Sequence, residues 1–528
     1  MWPFRKKVKA QQSLPVMPGV VPGEVPGEVP GALRARYDAA QTTVDNARHW
    51  ANADGLSADA AASADVRGKL RNRARYEVAN NAYAKGIVLT LANDCVGTGP
   101  RLQLLTEDAE INRIVETAFA NWAREIHLAE KIRTMRMAKA TDGEAFALIA
   151  GNPRIDSPVK IDLQLIEADR ITTPTPAPGD SPALGNRSSG RHRAFDTRDE
   201  TLAEVDGIEF DRHGNPRTYL VHRQHPGQTA YTSIVDVYDR VPAASMIHWF
   251  RPDRPGQHRG VPEITPALPL FAQLRRYTLA VLAAAETAAD FAAVLYTDAP
   301  ANGEASAVEP MDVVQLEKRM ATTLPDGWKL GQIKAEQPGT TYSEFKHELL
   351  NEIARCLNMP FNVAAGNSAG YNYASGRLDY QTYFKSIRVE QADCSNTVLD
   401  RIFAAWLHEA SLLRDFAFLR GIDARARRLA RQWFWDGTEH VDPAKEATAQ
   451  AKRLSSNTTT LAAEYARQGK DWETELRQRA KEKQLMKQLG LSEAQTQPEQ
   501  PPRDNEEDTD APGSTPGNEN PRNQRQAA

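Results

Sequence analysis

The chain has 528 residues, with 65 Lys and Arg against 69 Asp and Glu, a formal charge of -4. That size suggests two to four folded units. The charge excludes tight, non-specific wrapping of nucleic acid, while leaving room for a surface past which a polyanion slides.

Hydrophobic residues at 41% can build real cores, but 33 prolines and a mean hydropathy of -0.56 place substantial stretches outside them. Cys95, Cys356 and Cys394 lie far apart. They form neither a CxxC pair nor a disulfide framework, and a reducing compartment is expected. The basic N-terminus MWPFRKKVK runs into proline and glycine rather than an apolar core, so it does not read as a secretory signal.

In chain order, residues 15–31 repeat Pro-Gly every four residues and end in VPGEVPGEVPG, an extended tether. The first folded section, about Arg34 to Ile171, reads as mainly helical. Asp65 is placed as the cap of one helix running to the stop at Gly97 and Gly99. Further helices are expected over Asp108 to Glu125 and Leu128 to Thr141, then strands over Phe146 to Ala150 and Val159 to Ala168. Residues 172–190 are turn material. GIEFDRHGNPRTYLVHR predicts two strands around His213, Gly214 and Asn215, and YTSIVDVYDRVPAASMIHWF adds more β-structure.

A long helix follows Pro269 and extends to about Tyr296. Its apolar stretch Tyr277 to Tyr296 contains Glu286 and Asp290, which a membrane span would have to bury at considerable cost; a helix packed against protein, with no membrane partner, is expected. Residues 297–341 show little periodicity beyond a turn of helix at VVQLEKRM and a strand at WKLGQIK. Helix resumes over Tyr342 to Leu357, stops near Asn358, Met359 and Pro360, and leaves a glycine-rich loop from Ala364 to Arg377.

The longest helix is expected from about Arg377 to Phe418, roughly 60 Å at 1.5 Å per residue. Tyr383, Ile387, Cys394, Val398, Ile402 and Trp406 form its apolar stripe. Residues 414–431 then carry six arginines, Arg414, Arg420, Arg425, Arg427, Arg428 and Arg431, against Asp415 and Asp423. This surface either faces DNA or a neighbouring subunit, or is a solvated, salt-bridged helix surface. Asp442, Thr460 and Asp471 are candidate caps of three further helices, the last closed by Gly490. From Ser492 the chain is a polar tail that includes RDNEEDTD.

Signatures of phosphoryl transfer and hydrolysis do not occur. There is no GxxxxGK[ST] phosphate loop, GxSxG elbow, kinase set or Rossmann loop. His347 and Glu348 begin a zincin-like pattern, but Asn351 stands where the second histidine is needed. His213, His222 and His225 do not by themselves form a ligand set. Glu286 and Asp290, four apart on one helix face, are read as contacts to a neighbour's donors or to a polar channel. No catalytic residue, cofactor or metal is expected.

Met246 to Leu268, MIHWFRPDRPGQHRGVPEITPAL, resembles the most distinctive stretch of the lambda-type tailed bacteriophage portal proteins. Arg251, Arg254, Pro255, Gly256, Gln257, Arg259, Gly260, Val261 and Pro262 carry the match. NARHWANAD near the start, Leu357 to Tyr383, and Phe434 to Ala447 also resemble that family and occur in its order. The resemblance spans roughly Leu33 to Gln488.

It implies an α+β, mainly helical portal fold with wing, stem, clip and crown regions that assembles as twelve copies into a ring with a central channel. The implied divisions are a tether at 1–32, wing at 33–268, stem helix at 269–296, clip at 297–341 and second stem helix with its turn at 342–363. A channel loop at 364–377, long wing helix at 378–419, helical crown at 420–490 and tail at 491–528 complete the chain. In the loop, Gly366, Gly370 and Gly376 supply freedom, Asn367, Ser368, Tyr371, Asn372, Tyr373 and Ser375 supply neutral contacts, and Arg377 supplies one fixed charge. In the RPGQHRG motif, Arg251, Arg254 and Arg259 either bind acids of the next subunit or fix the loop through intrachain salt bridges.

The implied function is a non-enzymatic portal vertex that seeds prohead assembly and conducts DNA. Its implied partners are other copies, the terminase large subunit, major capsid and scaffolding proteins, head-completion and tail connector proteins, and double-stranded DNA held weakly without sequence specificity. It would reside at one capsid vertex of the virion, and in the bacterial host cytoplasm during assembly. A head-to-tail adaptor ring or, from another class, a DNA-packaging nuclease or ATPase are the alternatives.

Overall fold

In the computed structural model, the residues described are 48–174, 201–228, 237–289, 293–297, 328–332, 342–420, 429–437 and 443–491. The chain divides into two compact units, Met1–Ser57 and Ala58–Ala528. In the first, residues 48–57 include a turn in which Ala53 N donates to Trp50 O at 3.0 Å. All elements below belong to the second. The tether, most of 172–190, VVQLEKRM, Asp290, Arg425, Arg427, Arg428, Asp442 and the polar tail beyond Leu491 lie outside the described residues.

The second unit opens with α1 (Ala58–Ala61), α2 (Ala64–Asn80) and α3 (Ala82–Val96). The single helix expected over 65–97 is therefore two. Asn81 turns extended (φ -121°, ψ 117°), and its side chain accepts from Tyr83 N and Ala84 N; an Asn that caps its own successor competes with helix continuation. Asp65 lies inside the first turn of α2 rather than at its cap, which is Ser63.

Next come β1 (Arg101–Leu104), α4 (Ala109–Glu125), α5 (Leu128–Asp142), β2 (Glu144–Gly151) and β3 (Ile161–Ile166). Asp108 caps α4 by accepting from Glu110 N and Ile111 N. After these lie β4 (Thr201–Val205), β5 (Ile208–Asp211), β6 (Pro216–His222), β7 (Tyr238–Pro242) and β8 (Met246–Phe250). The expected hairpin is β5 and β6, paired antiparallel, and Asp211 closes its turn by accepting from His213 N and Asn215 N.

The β-structure forms two larger antiparallel sheets, ordered β3-β2-β8 and β4-β5-β6-β7. Although β7 and β8 are almost adjacent in sequence, they belong to different sheets. Phe146, Ile166, Ile208, Phe210, Tyr219, Val221 and Met246 share a buried cluster drawn from both.

The helical half contains α6 (Leu268–Ala289), α7 (Tyr342–Arg355), α8 (Phe361–Ala365), α9 (Tyr373–Cys394) and α10 (Asp400–Leu412). Among the described residues, no helix is long and apolar enough to cross a membrane. The helix expected to reach Tyr296 stops sooner: β9 (Ala293–Thr297) pairs with β10 (Trp328–Gln332), as the β-branched and aromatic AVLYT favours. The helix expected over 377–418 is α9 and α10 joined by a π turn at Ser395–Leu399, followed by a 3-10 segment at Arg414–Leu419. Tyr383, Ile387, Cys394, Val398, Ile402 and Trp406 are all buried as the stripe requires, and Leu399 and Phe403 join them.

The last elements are β11 (Arg431–Phe434), α12 (Pro443–Ser455), α13 (Leu461–Arg467) and α14 (Trp472–Gln488). Strand β11 pairs with β1, a pairing across more than three hundred residues that local pattern does not announce. One aromatic core, with Phe119, Trp122, Trp249, Phe403 and Trp406, joins α4 and the β2 sheet to α10. A second, with Ile87, Phe271, Ile353, Phe361 and Tyr383, joins α3, α6, α7, α8 and α9.

Candidate functional site

Helix α2 places Arg67, Arg71 and Arg75 four residues apart, so all three lie on one face. Arg71 donates to Asp169 Oδ1 from Nη2 at 2.9 Å and Nε at 3.1 Å. Arg75 donates to both oxygens of Asp142 at 2.8 and 2.9 Å, and its Nη1 lies 2.7 Å from Asp169 Oδ2. Arg67 pairs with Asp206, in the turn between β4 and β5.

Opposite that face runs the 251–263 segment. Arg259, only 1% exposed, donates to Glu144 from Nη2 at 2.7 Å and from Nε at 2.9 and 3.1 Å. Its Nη1 reaches Ile171 O at 3.0 Å and Asp206 Oδ2 at 3.1 Å. Glu144 also accepts from Gly260 N at 3.1 Å and faces His248 Nε2 at 3.1 Å. Four guanidiniums thus meet four carboxylates, Asp142, Glu144, Asp169 and Asp206, in a bidentate-rich cluster.

Burial pushes the Glu144 carboxyl up, but Arg259 and then His248 outweigh it and hold the group well below the usual carboxylate range. Burial is also the main reason that His248 is lowered.

A second cluster sits at the other end of the segment. Arg136 on α5 meets Glu263 at 2.9 Å and Glu390 of α9 at 3.3 Å. Lys139 Nζ donates to Glu390 Oε1 at 2.6 Å and Asp393 Oδ2 at 3.3 Å, and lies 4.7 Å from the centre of the Trp249 ring. Trp249 Nε1 donates to Asp393 Oδ2 at 2.8 Å. Residues 259–263 therefore bridge two ionic clusters, tying α2, α5 and α9 to both large sheets.

Backbone geometry makes that bridge possible. Gly143 has φ +91°, and a Cβ on it would run into the backbone of Val261 and Pro262; one on Gly260 would run into Gly143. Gly256 takes φ +77° in an exposed turn beside Pro255. The Gln257 side chain accepts from Asp253 N at 2.9 Å and Arg254 N at 3.2 Å and donates to Arg259 O at 2.8 Å. Arg251 is exposed and pairs with Asp253 at 2.7 Å, with Glu263 3.7 Å away; Arg254 is exposed. Of the three motif arginines, Arg259 is thus wholly internal to the subunit.

The 364–377 stretch is built otherwise. Ala364 and Ala365 end α8, Gly366 closes it at φ +61°, and Asn372 caps α9 through a reciprocal pair with Ser375. The loop is consequently 366–372, while Tyr373, Ser375, Gly376 and Arg377 lie in the first turn of α9. Asn367 Oδ1 accepts from Ala369 N at 2.9 Å, Tyr371 N donates to Ser368 O at 3.2 Å, and Gly370 takes φ +85°. Ser368 and Arg377 are exposed and Tyr371 is half-buried.

Other candidates stay dispersed. Glu286 is exposed on α6, and His347 stacks on Phe361 at 3.7 Å. His213 accepts from Arg212, and His222 lies 3.3 Å from Thr172 O. His225 lies 2.9 Å from Glu167 and 3.6 Å from Asp169, a trio with the reach to ligate a metal. Arg71 and Arg75 already offset Asp169, which suits a salt bridge better than a cation. Burial pushes the thiols of Cys95 and Cys356 up to about 12 and about 11, which disfavours thiolate chemistry.

Sequence reasoning missed Glu144, Asp169, Asp206, Arg136, Lys139, Glu263, Glu390 and Asp393. The four-residue spacing of Arg67, Arg71 and Arg75 was the available signal for the first cluster; its acids are scattered over 65 positions and carried none.

Residues 45–391 match the family model for phage portal proteins of the lambda family. The chain is 25% identical over 448 residues, 80% of its length and 81% of the relative's, to a probable portal protein of Halomonas phage phiHAP-1. Among solved structures it is similar to a chain of the neck of a native GTA particle computed with C12 symmetry, with TM-score 0.41 and 12% identity over 75% of this chain and 92% of that one. It is also similar to one of the neck of an empty GTA particle computed with C6 symmetry, with TM-score 0.41 and 14% identity over 74% and 91%. On the strength of the family match, which takes in both the 251–263 segment and the 366–372 loop, the chain belongs to the lambda family of phage portal proteins.

Proposed function

We propose that the chain is the subunit of a portal vertex, a non-enzymatic ring, twelve copies strong, through which double-stranded DNA enters and leaves the capsid. The observation that carries the reading is the contrast between the doubly clamped 251–263 segment and the neutral loop 366–372. A body locked by buried ion pairs keeps its shape under load, and an exposed loop without charge touches a moving duplex without gripping it. Loop residues Gly366, Asn367, Ser368, Gly370, Tyr371 and Asn372 would face the channel, with Arg377 at its edge and Glu286 and Asp290 further along the stem.

In this reading 33–268 and 378–419 form the wing, 269–296 and 342–363 the stem, 297–341 the clip and 420–490 the crown. The clip would receive the terminase large subunit during packaging and head-completion and tail connector proteins afterwards. Capsid and scaffolding proteins would assemble around the ring in the host cytoplasm, leaving it at one vertex of the virion. Energy for transport would come from the terminase.

Electron microscopy of the purified full-length chain tests this. Closed rings with an axial channel of roughly 20 Å or more, wide enough for duplex DNA, are expected. A persistent monomer with an enclosed pocket, or DNA-stimulated ATP hydrolysis by the chain alone, would overturn the reading.

A further inference from the structure

Helix α14 is anchored at one end. Its cap Asp471 accepts from Gln103 of β1 at 2.7 Å and from Thr474 N at 3.0 Å, and Arg101 donates to Gly469 O just before it. No residue of the helix is buried, and from Arg477 to Leu491 every side chain except the half-buried Met486 is exposed.

In that stretch Arg477, Arg479, Lys481, Lys483 and Lys487 stand against the single acid Glu482, whose Oε1 accepts from Gln478 at 2.8 Å. Arg479, Lys483 and Lys487 are spaced by four and share one face, a row of about 12 Å at 1.5 Å per residue. Exposed Leu485 and Leu489 lie outside the arc of the helix that the cations occupy.

We propose that this basic stripe is a sequence-independent site for the phosphate backbone of duplex DNA. A linear row of cations matches a linear row of phosphates. Arg479, Lys483 and Lys487, in line along one exposed face, carry the site; Arg477 lies off that line and 3.8 Å from Glu473. The inference rests on the portal reading and deepens it: α14 offers the duplex a row of fixed positive charge, which the loop 366–372, with no charged residue, does not.

The test is fluorescence anisotropy of a labelled duplex titrated with full-length protein, wild type and Arg479→Gln/Lys483→Gln/Lys487→Gln, between 50 and 200 mM salt. The triple variant is expected to bind at least tenfold more weakly at the lowest salt. Its slope of log affinity against log salt should fall by about 2.7 per copy engaged, since each phosphate contact contributes ~0.9.

Equal affinity and slope in the two proteins would overturn the proposal. So would a wild type that does not bind the duplex, which would give the stripe another occupant, such as the eight acids of residues 492–528. Microscopy of the same samples separates the two readings. Rings that persist while DNA binding is lost support the stripe, rings lost only in the variant make its role structural and overturn it, and absence of rings in the wild type counts against the portal reading instead.

Discussion

The 251–263 segment and the 366–372 loop both depend on glycine and short polar contacts, yet they are stabilised in opposite ways. In the segment, Gly260 is squeezed against Gly143 and Arg259 spends its donors on Glu144, Ile171 and Asp206, residues from three separate stretches of chain. In the loop, the side-chain oxygens of Asn367 and Asn372 accept from backbone N–H groups two and three residues further on. Long-range polar contacts fix the relative placement of elements; local ones fix a turn and leave its outward face free for function.

The largest expected effect follows from removing a cation from the segment. Arg259→Ala leaves Glu144 buried beside a lost partner, and breaking such a pair costs about 3–5 kcal/mol. Denaturant unfolding should show that loss, and Arg259→Met combined with Glu144→Gln should recover much of it because no unpaired charge remains. A double variant as unstable as Arg259→Ala alone would mean that packing, rather than charge, dominates there.

Acid should distinguish the two regions next. Glu144 is depressed in the fold, so its stabilisation is present above the ordinary carboxylate value near 4.3 and is lost as pH falls through its lower folded value. His248 is also depressed and neutral when buried, so it begins to erode stability as pH drops below its ordinary value near 6.5. The loop has no carboxylate or imidazole. Amide exchange measured against pH should therefore show the β2 and β8 amides losing protection in acid before any change attributable to 366–372.

The smallest effect belongs to the loop. Asn372→Ala removes the cap of α9 at a cost of about 1 kcal/mol, which speeds amide exchange in the first turn of α9 roughly fivefold. Exchange across 256–263 should be unchanged. A variant that loosens both would show that the loop and the segment are coupled.

How far the sequence carried differs between these regions for the same reason. The apolar stripe from Tyr383 to Trp406, the β5–β6 hairpin and the caps Thr460 and Asp471 are local signals, and the structure contains them. The break at Asn81, the pairing of β1 with β11 and the division of β7 and β8 between two sheets depend on partners far along the chain. The RPGQHRG motif is visible as a motif, but the two readings of Arg259 separate only once Glu144, Asp206 and Ile171 are brought to it. Conversely, the loop narrows from 364–377 to 366–372 because α8 runs to Ala365 and because Asn372 and Ser375 form a capping box, whose spacing in the sequence reads equally well as loop polarity.

The most direct test of the central claim, that residues 256–263 hold one subunit together rather than join two, is hydrogen exchange of those amides in assembled rings and in the dissociated chain. The expected result is equal, strong protection in both states, because Glu144, Gln257 and Arg259 complete their contacts within one chain. Protection that arises only on assembly would contradict this and assign the segment to the interface between subunits.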